Sequence, residues 1–581
     1  MNLVIANNAL PFRSTLIFTL SCGLSSASVV VTTNGPPLMG IFKALPQNGI
    51  ELSTIFNFTA IDYIDPDLPL TYQYGFINNG LHIVLYKRSL AYTFQSTLPA
   101  GSMICYVQVF DSYGVYTEST EVVTVSKELD QQRLQETILN QLHSTSNNSI
   151  ILQTTLALVS AVLNSASCQK APICENLNRM ECSTVANTCG LCKSGFIGDA
   201  DNSNNICISL NRVANSSSIG GISLSCMRDN DCSLFEVCDI TLRKCRLPSK
   251  ACPNDCSTQG FCSFINVNTH LKAKVCKVTD ISCQAKCTCY GNFTGLDCGI
   301  TRQQLFQRQE LRNVMLNRLS SIVSTTTTTT NINAINLGIL SDTLSSIARN
   351  TYEVTPKMAE SINQVALNIL STAVNSNTTI NYQSLSGILS SINTVIQVST
   401  INSQSFQTLQ MFSDLITKQQ VSGENSIDYI YDSFRMKVIS VAYNNNNDGK
   451  FTDIQITAPQ TEMESLFASQ SASSITIQRN NEFLTSDQKN PTDLSISMLI
   501  TTASIYGNIS SKMNNNPVQL KLSSKNNIEN NTSIIFHLIH NSEIEFTNIN
   551  SSSSSSSSSE GKHYGFNTTC KGYLDNSIHT L

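Results

Sequence analysis

Apolar and polar residues alternate with a period of two through "TYQYGF" (71–76), "LHIVLY" (81–86), "MICYVQV" (103–109) and "EVVTV" (121–125), and turn-forming residues separate these runs. The pattern predicts short strands, each with one buried face. "STLIFTLSCGLSSASVVV" (14–31) mixes apolar and small residues as a strand pair allows. Within it, "TLIFTLSCGL" (15–24) could instead be a signal-peptide core, with "SAS" (26–28) as its cleavage site. Only Arg13 supplies positive charge there, and cleavage would remove Cys22 and leave Cys105 without a partner, so the strand pair is the preferred reading. Residues 1–126 are therefore expected to form an all-β sandwich.

The period then changes to 3.6. Leu134, Ile138 and Leu142 stripe one helix, and Leu152, Leu156, Val159 and Leu163 the next, giving a helical pair over 127–167. Helical stripes resume at Leu311, Met315, Leu319 and Ile322, then at Leu337, Leu340, Leu344 and Ile347. Thr355-Pro356 is a helix start signal ahead of Met358, Ile362, Val365 and Ile369. Leu385, Leu389, Ile392 and Ile396 continue the series, followed by Leu409, Phe412 and Ile416. These make a helical subdomain over 301–420. Its spacing resembles that of the 127–167 pair, so the intervening segment reads as an insertion in one helical domain. Strand patterns return in "FRMKVISVAY", "KFTDIQI", "SSITIQ", "PVQLKLS" and "SIIFHLIH", giving a second β-sandwich over 430–550. Val518, Leu520 and Leu522 alternate with polar residues as in a half-buried strand. The Thr run (325–330) and the Ser run (551–559) read as low-complexity linkers.

Cysteine changes the picture most. The chain has 581 residues and 21 cysteines, and 18 of these fall between Cys168 and Cys298. Such density implies disulfides and an oxidising compartment. Zinc would want repeated CxxC pairs or Cys with His at ligand spacing, yet only Cys189–Cys192 is a CxxC and His270 is the sole histidine in the block. Cys22 and Cys105 lie on expected strands near opposite ends of the first domain, which suits a sheet-to-sheet disulfide. In the Cys-rich region 168–250, Cys168, Cys174, Cys182, Cys189, Cys192 and Cys207 make one unit and Cys226, Cys232, Cys238 and Cys245 another, with connectivity left open. Cys570 stands alone near the end. A net charge of −5 with no long basic run gives no case for nucleic acid. No stretch of 18 apolar residues is present to span a bilayer.

"CPNDCSTQGFC…CTCYGNFTGLDC" within 251–300 closely resembles an EGF-like module. The resemblance implies the pairs Cys252–Cys262, Cys256–Cys287 and Cys289–Cys298. Cys276 and Cys283 are extra to the pattern and are expected to close an inserted loop on each other. "LPSKA" replaces the acidic lead-in of calcium-binding copies, so a spacer or contact module without calcium is expected.

No catalytic constellation emerges: there is no P-loop, HExxH or GxSxG, and no cofactor is expected. "DADNSN" (199–204) could chelate calcium through Asp199 and Asp201, but a solvated turn is the better reading. His537 and His540 would face opposite sides of a strand, which argues against a metal site. "NNNNDGKFTDIQ" (444–455) brushes an EF-hand but offers Asn444 and Gln455 at its ends, and Asp448-Gly449 fits a hairpin turn better. Asp62, Asp65, Asp67 and Asp111 could hold a metal only by converging; the two prolines of "DPDLPLTYQYGF" (65–76) instead mark a chain corner leading into a strand whose Leu70, Tyr72, Tyr74 and Phe76 share a face. No metal site is assigned. Sequons at Asn57, Asn292, Asn377, Asn508 and Asn567 permit glycosylation, and Asn292 is an exposed acceptor by this reading.

"GPPLMG…ELSTIFNFTAIDYIDPDLPLTYQYGF…LPAGSMICYVQVFDSYG", with the turn at Val109, Asp111 and Gly114, resembles the REJ (receptor for egg jelly) module of polycystin-like ectodomains. Tyr63 stands where that family usually has Trp. The resemblance covers residues 10–126 and implies an Ig-like or PKD-like sandwich. It further implies a GAIN-like order of helices then sheet, with a GPS cleavage site and membrane spans beyond. "HLI" (537–539) lacks the hydroxyl nucleophile that GPS cleavage needs, and residues 551–581 read as a Ser-rich linker and a truncated GPS-like tail. The expectation is a non-enzymatic, multidomain, extracellular region of a cell-surface receptor acting in adhesion, recognition or mechanosensing. Its partner would be an extracellular protein or glycan, and membrane attachment would come through a missing C-terminal region. The alternative is a soluble secreted matrix or coat protein.

Overall fold

A computed structural model describes residues 9–538, apart from 24, 79–80, 129–130, 145–148, 200–201, 211–225, 229–230, 233–234, 268–270, 329–333, 376–380, 400–402, 422, 442–453, 462–463, 466–473, 478–493, 502–517 and 525–533. The chain divides into two compact units. The first comprises 1–164, 310–349 and 361–391; the second comprises 165–309, 350–360 and 392–581.

In the first unit ten strands precede the helices: β1 (Thr15–Cys22), β2 (Ser25–Thr32), β3 (Ile41–Leu45), β4 (Asn48–Ile50), β5 (Phe56–Ile61), β6 (Thr71–Asn78), β7 (Leu81–Ser89), β8 (Thr93–Ser96), β9 (Gly101–Phe110) and β10 (Tyr116–Ser126). One sheet has the order β4-β10-β9-β6-β7, a second the order β3-β5-β8, and β1-β2 form a separate hairpin. Alternation drives the two main sheets together. Phe42, Phe58, Tyr74 and Phe76 are buried, and the Tyr74 ring of the larger sheet meets Phe42 at 6.4 Å, Phe58 at 6.2 Å and Phe94 at 5.9 Å from the smaller one. Such aromatic pairs each add about 0.5–1.5 kcal/mol beyond the area they bury. Gly75 admits Tyr106 across the outer face: a Cβ there would sit 2.1 Å from the Ile83 carbonyl oxygen and 2.6 Å from the Tyr106 ring.

The helical pair continues the same unit. In α1 (Gln131–Ser144) Leu134, Ile138 and Leu142 are buried, and in α2 (Ser149–Asn164) Leu152, Leu156, Val159 and Leu163 are. α2 lies on edge strand β7, where the Thr154 hydroxyl donates to the Leu85 carbonyl. A helix over a sheet edge removes a template for unwanted strand pairing. The chain returns to this unit at Glu310, within α3 (Arg302–Thr328), and continues in α4 (Ala334–Ala348). Fully buried Arg312 of α3 donates to the Ile347 carbonyl (2.8 Å) at the end of α4 and to Asn164 Oδ1 (2.7 Å) at the end of α2. A guanidinium suits those two helix C-termini, because each presents unsatisfied carbonyls and partial negative charge.

Two expectations change here. The Thr run does not begin as a linker, because α3 runs through Thr328. The Thr325 hydroxyl donates back to the Ser321 and Ile322 carbonyls, which satisfies it inside a helix. The strand pair at 14–31 forms, yet as a hairpin apart from both sandwich sheets, with Ile17, Leu20, Val29 and Val30 exposed.

In the second unit, strands 427–430, 434–441, 494–501, 518–524 and 534–538 form one antiparallel sheet in that order. Phe434, Met436 and Val438 alternate inward beneath the helix Ser403–Gln419, whose Phe412 meets Tyr429 at 5.9 Å. Helices Pro356–Asn375 and Ser386–Val398, each divided between the two units, bury the stripes expected of them, and the Thr355 hydroxyl caps the Met358 amide. His540, Cys570, the Asp448-Gly449 turn and the Ser run lie outside the described residues.

Candidate functional site

The corner that opens β6 gathers charge. One carboxylate oxygen from each of Asp65, Asp67 and Asp111 lies within 4.8 Å of the others, and Asp65 and Asp111 are buried. Asp62 is not among them; it is exposed, with a positive φ of 62°. The geometry has local causes. Asp65 Oδ1 accepts from the Asp67 amide at 2.8 Å, closing a tight Asx turn through Pro66. Asp111 Oδ1 accepts from the Val115 amide at 2.9 Å and so shapes the turn between β9 and β10. The Ser112 amide donates to the Asp67 carbonyl at 3.0 Å, which ties the two turns together.

Cationic and amide groups take the second carboxylate oxygen of Asp65 and of Asp111. Arg13 donates to Asp65 Oδ2 at 3.1 Å and also reaches the Pro36 carbonyl. The Asn34 side-chain amide donates to Asp111 Oδ2, with its own Oδ1 fixed by the Gly35 amide at 2.7 Å. Arg88 donates to the Asp111 carbonyl at 2.6 Å and lies 4.7 Å above the Phe110 ring. Burial lowers the Arg88 pKa from its ordinary value, and Asp111 acts in the opposite sense. Tyr63 is buried and donates to the Ser119 hydroxyl at 2.7 Å. Sequence reasoning missed Arg13, Asn34 and Arg88. Arg13 had a signal: it is the only cation ahead of Lys43, and a buried carboxylate needs a counter-charge.

The expected Cys22–Cys105 disulfide does not form; both are free. Cys22 ends β1 on the exposed hairpin, whereas Cys105 is fully buried in β9, opposite Phe76 and Glu121. The hairpin belongs to neither sheet, so no strand register carries Cys22 to the core. Burial pushes the Cys105 thiol pKa up to about 12.

The cysteine block closes on itself. Its pairs are Cys168–Cys182, Cys174–Cys189, Cys192–Cys207, Cys226–Cys238 and Cys232–Cys245, then Cys252–Cys262, Cys256–Cys287, Cys276–Cys283 and Cys289–Cys298. Two cysteine triads with ligand-like spacing, Cys226/Cys232/Cys238 and Cys252/Cys256/Cys287, consist of sulfurs already committed to these bonds. The CxxC pair likewise bonds outward, Cys189 to Cys174 and Cys192 to Cys207. The sub-units are not separate beads. Ile197, Phe235 and Val278, one from each, form a shared buried cluster. Fully buried Arg179 donates to the Gly190 carbonyl at 2.9 Å and the Asp199 carbonyl at 3.2 Å. The Asp199 carboxylate accepts from Ser203 and Asn205 and sits 3.6 Å from the Lys250 ammonium, so it serves the packing of the block. Asp201 lies outside the described residues. Of the sequons, Asn57 and Asn292 are exposed, while Asn377, Asn508 and Asn567 lie outside the described residues.

No curated protein matches the chain. The family model of the REJ domain matches residues 1–159, past the last sandwich strand, through α1 and into α2. This fits the packing of α2 on β7. Residues 1–159 thus match the REJ domain family, as the sequence resemblance implied.

Proposed function

We propose that the chain forms an extracellular region of a polycystin-like cell-surface receptor, working in adhesion, recognition or mechanosensing. The REJ match carries this reading, since that family comprises non-catalytic receptor ectodomains. Nine disulfides concentrated in one block support an oxidising, extracellular setting. On this reading the two facing sheets are an Ig-like or PKD-like sandwich and residues 252–298 an EGF-like module. The helices followed by the sheet at 427–538 are GAIN-like. An extracellular protein or glycan is the partner.

The test is surface labelling. Cells expressing the complete gene are treated with a membrane-impermeant amine reagent, and membranes are then washed with alkaline carbonate. Labelled chain retained in the washed membranes is the expected result. Labelled chain found wholly in the medium would move the reading to a soluble matrix or coat protein, and unlabelled chain inside the cell would end both.

A further inference from the structure

We propose that Asn292 is an N-glycan acceptor and that the first sugars of its glycan cover the paired rings of Phe261 and Tyr290. The inference rests on the extracellular reading above. Asn292-Phe293-Thr294 is a sequon in the last disulfide loop, between Cys289 and Cys298. The side chain of Asn292 is exposed and makes no hydrogen bond among the described residues; its backbone carbonyl is engaged by the Arg302 amide at 2.8 Å. Gly291, with φ +48°, turns the chain so that the asparagine stands clear, and the Phe293 amide closes the turn on the Tyr290 carbonyl at 3.0 Å.

Asn57 gives the contrast. Its sequon lies in β5, the middle strand of three, between buried Phe56 and Phe58, and its Oδ1 accepts from Gln95. Timing separates the two sites further. Strands of a β-sandwich pair within roughly milliseconds to seconds, while a cystine loop waits for oxidation, which takes seconds to hours. The Asn292 segment therefore stays open to the transferase for longer. In the transfer, the Asn292 amide nitrogen bonds to the anomeric carbon of a lipid diphosphate-linked oligosaccharide. The bond from that carbon to the diphosphate oxygen breaks, the lipid diphosphate leaves, and the amide proton passes to a base.

The neighbourhood explains what the sugar does there. Phe261 is 45% and Tyr290 53% exposed, and their rings lie 6.1 Å apart. Tyr290 is two residues from the acceptor, within reach of the first sugar. The apolar C–H face of a pyranose stacks on aromatic rings, so the glycan covers apolar surface that would otherwise face water.

The experiment uses the full chain secreted from a eukaryotic host. Peptide mass spectrometry follows enzymatic deglycosylation in heavy-oxygen water, with a disulfide map of the same sample. We expect the Asn292 peptide to carry the isotope mark at higher occupancy than Asn57, and Thr294→Ala and Asn292→Gln each to abolish it while the disulfide map is unchanged. Hydroxyl-radical labelling of Tyr290 should rise on deglycosylation. An unmarked Asn292 in a chain with its disulfides formed overturns the proposal and leaves the extracellular reading standing. Free thiols throughout 168–298 overturn both. Occupancy at Asn57 equal to or above that at Asn292, or Tyr290 labelling that ignores the glycan, refutes the proposal as stated.

Discussion

The two free cysteines of the first unit should differ sharply in chemistry. Cys22 is exposed at the end of a hairpin, and Cys105 is 0% exposed with its thiol pushed to a pKa of about 12. The attacking species is the thiolate. At pH 8 a pKa near 12 leaves a thiolate fraction of about 10⁻⁴, before any steric shielding by Phe76 and its neighbours. Native protein treated with iodoacetamide at pH 8 should therefore alkylate at Cys22 and stay bare at Cys105. Denaturant should expose both. Stability gives an independent reading. Cys22→Ser touches no packed group and should change unfolding free energy by less than about 0.5 kcal/mol. A bridge to Cys105 would close a long loop, and its loss would cost about 2–5 kcal/mol. Native alkylation of Cys105 at the rate of Cys22, or a peptide linking the two, would refute this account.

Three further outcomes follow from the same geometry. Reduction should open the chain selectively: with a phosphine reductant, limited proteolysis should cut within 168–298 while the sandwich persists, since every disulfide among the described residues lies in that block; equal cutting in both would contradict it. Asp111→Ala removes a buried carboxylate that accepts from Val115 and Asn34, and should cost about 3 kcal/mol in chemical denaturation; a neutral substitution would show the corner is not a brace. Glu464 has a lowered pKa: burial pushes it up, but the Arg435 side chain and the Thr461 amide outweigh this. A depressed carboxylate contributes stability above its unfolded value and loses it as pH falls through the folded one. The destabilisation caused by Glu464→Gln should thus be present at pH 7 and vanish in acid, as followed by thermal unfolding; a penalty that grew in acid would reverse the assigned sign.

Much of the fold was legible because burial imposes a period on the chain. Every stripe read at 3.6-residue spacing, from Leu134 to Ile416, lines a buried helix face. The alternation around Tyr74 and Phe76 likewise marked a core strand. The pairs implied for 252–298 by the EGF resemblance match the bonds present there. What failed depended on distance rather than period. Cys22 and Cys105 sit on strands as read, yet a strand assignment does not say which sheet the strand joins. Ile197, Phe235 and Val278 are single apolar residues with no period among them, so their shared cluster left no trace in the sequence. The Thr run misled because composition suggested a linker, while hydroxyl-to-carbonyl bonds let threonine finish a helix already under way.

The acidic corner shows why residue identity alone cannot assign a metal. Three carboxylates within 4.8 Å would repel strongly if left bare. A divalent cation is one remedy, and it would need free oxygens. Here all four oxygens of Asp65 and Asp111 already accept bonds, from the Asp67 and Val115 amides, the Arg13 guanidinium and the Asn34 amide. The compensation comes from groups far apart in sequence, so it joins the segment before β1, the chain leading to β3 and the β9–β10 turn to one point. Binding an ion would mean displacing Arg13 and Asn34 and re-solvating them, against bonds to charged groups worth about 1.5–3 kcal/mol each. These bonds make the corner a cross-brace between distant segments. It holds the entry to β6, the strand whose Tyr74 meets the opposite sheet.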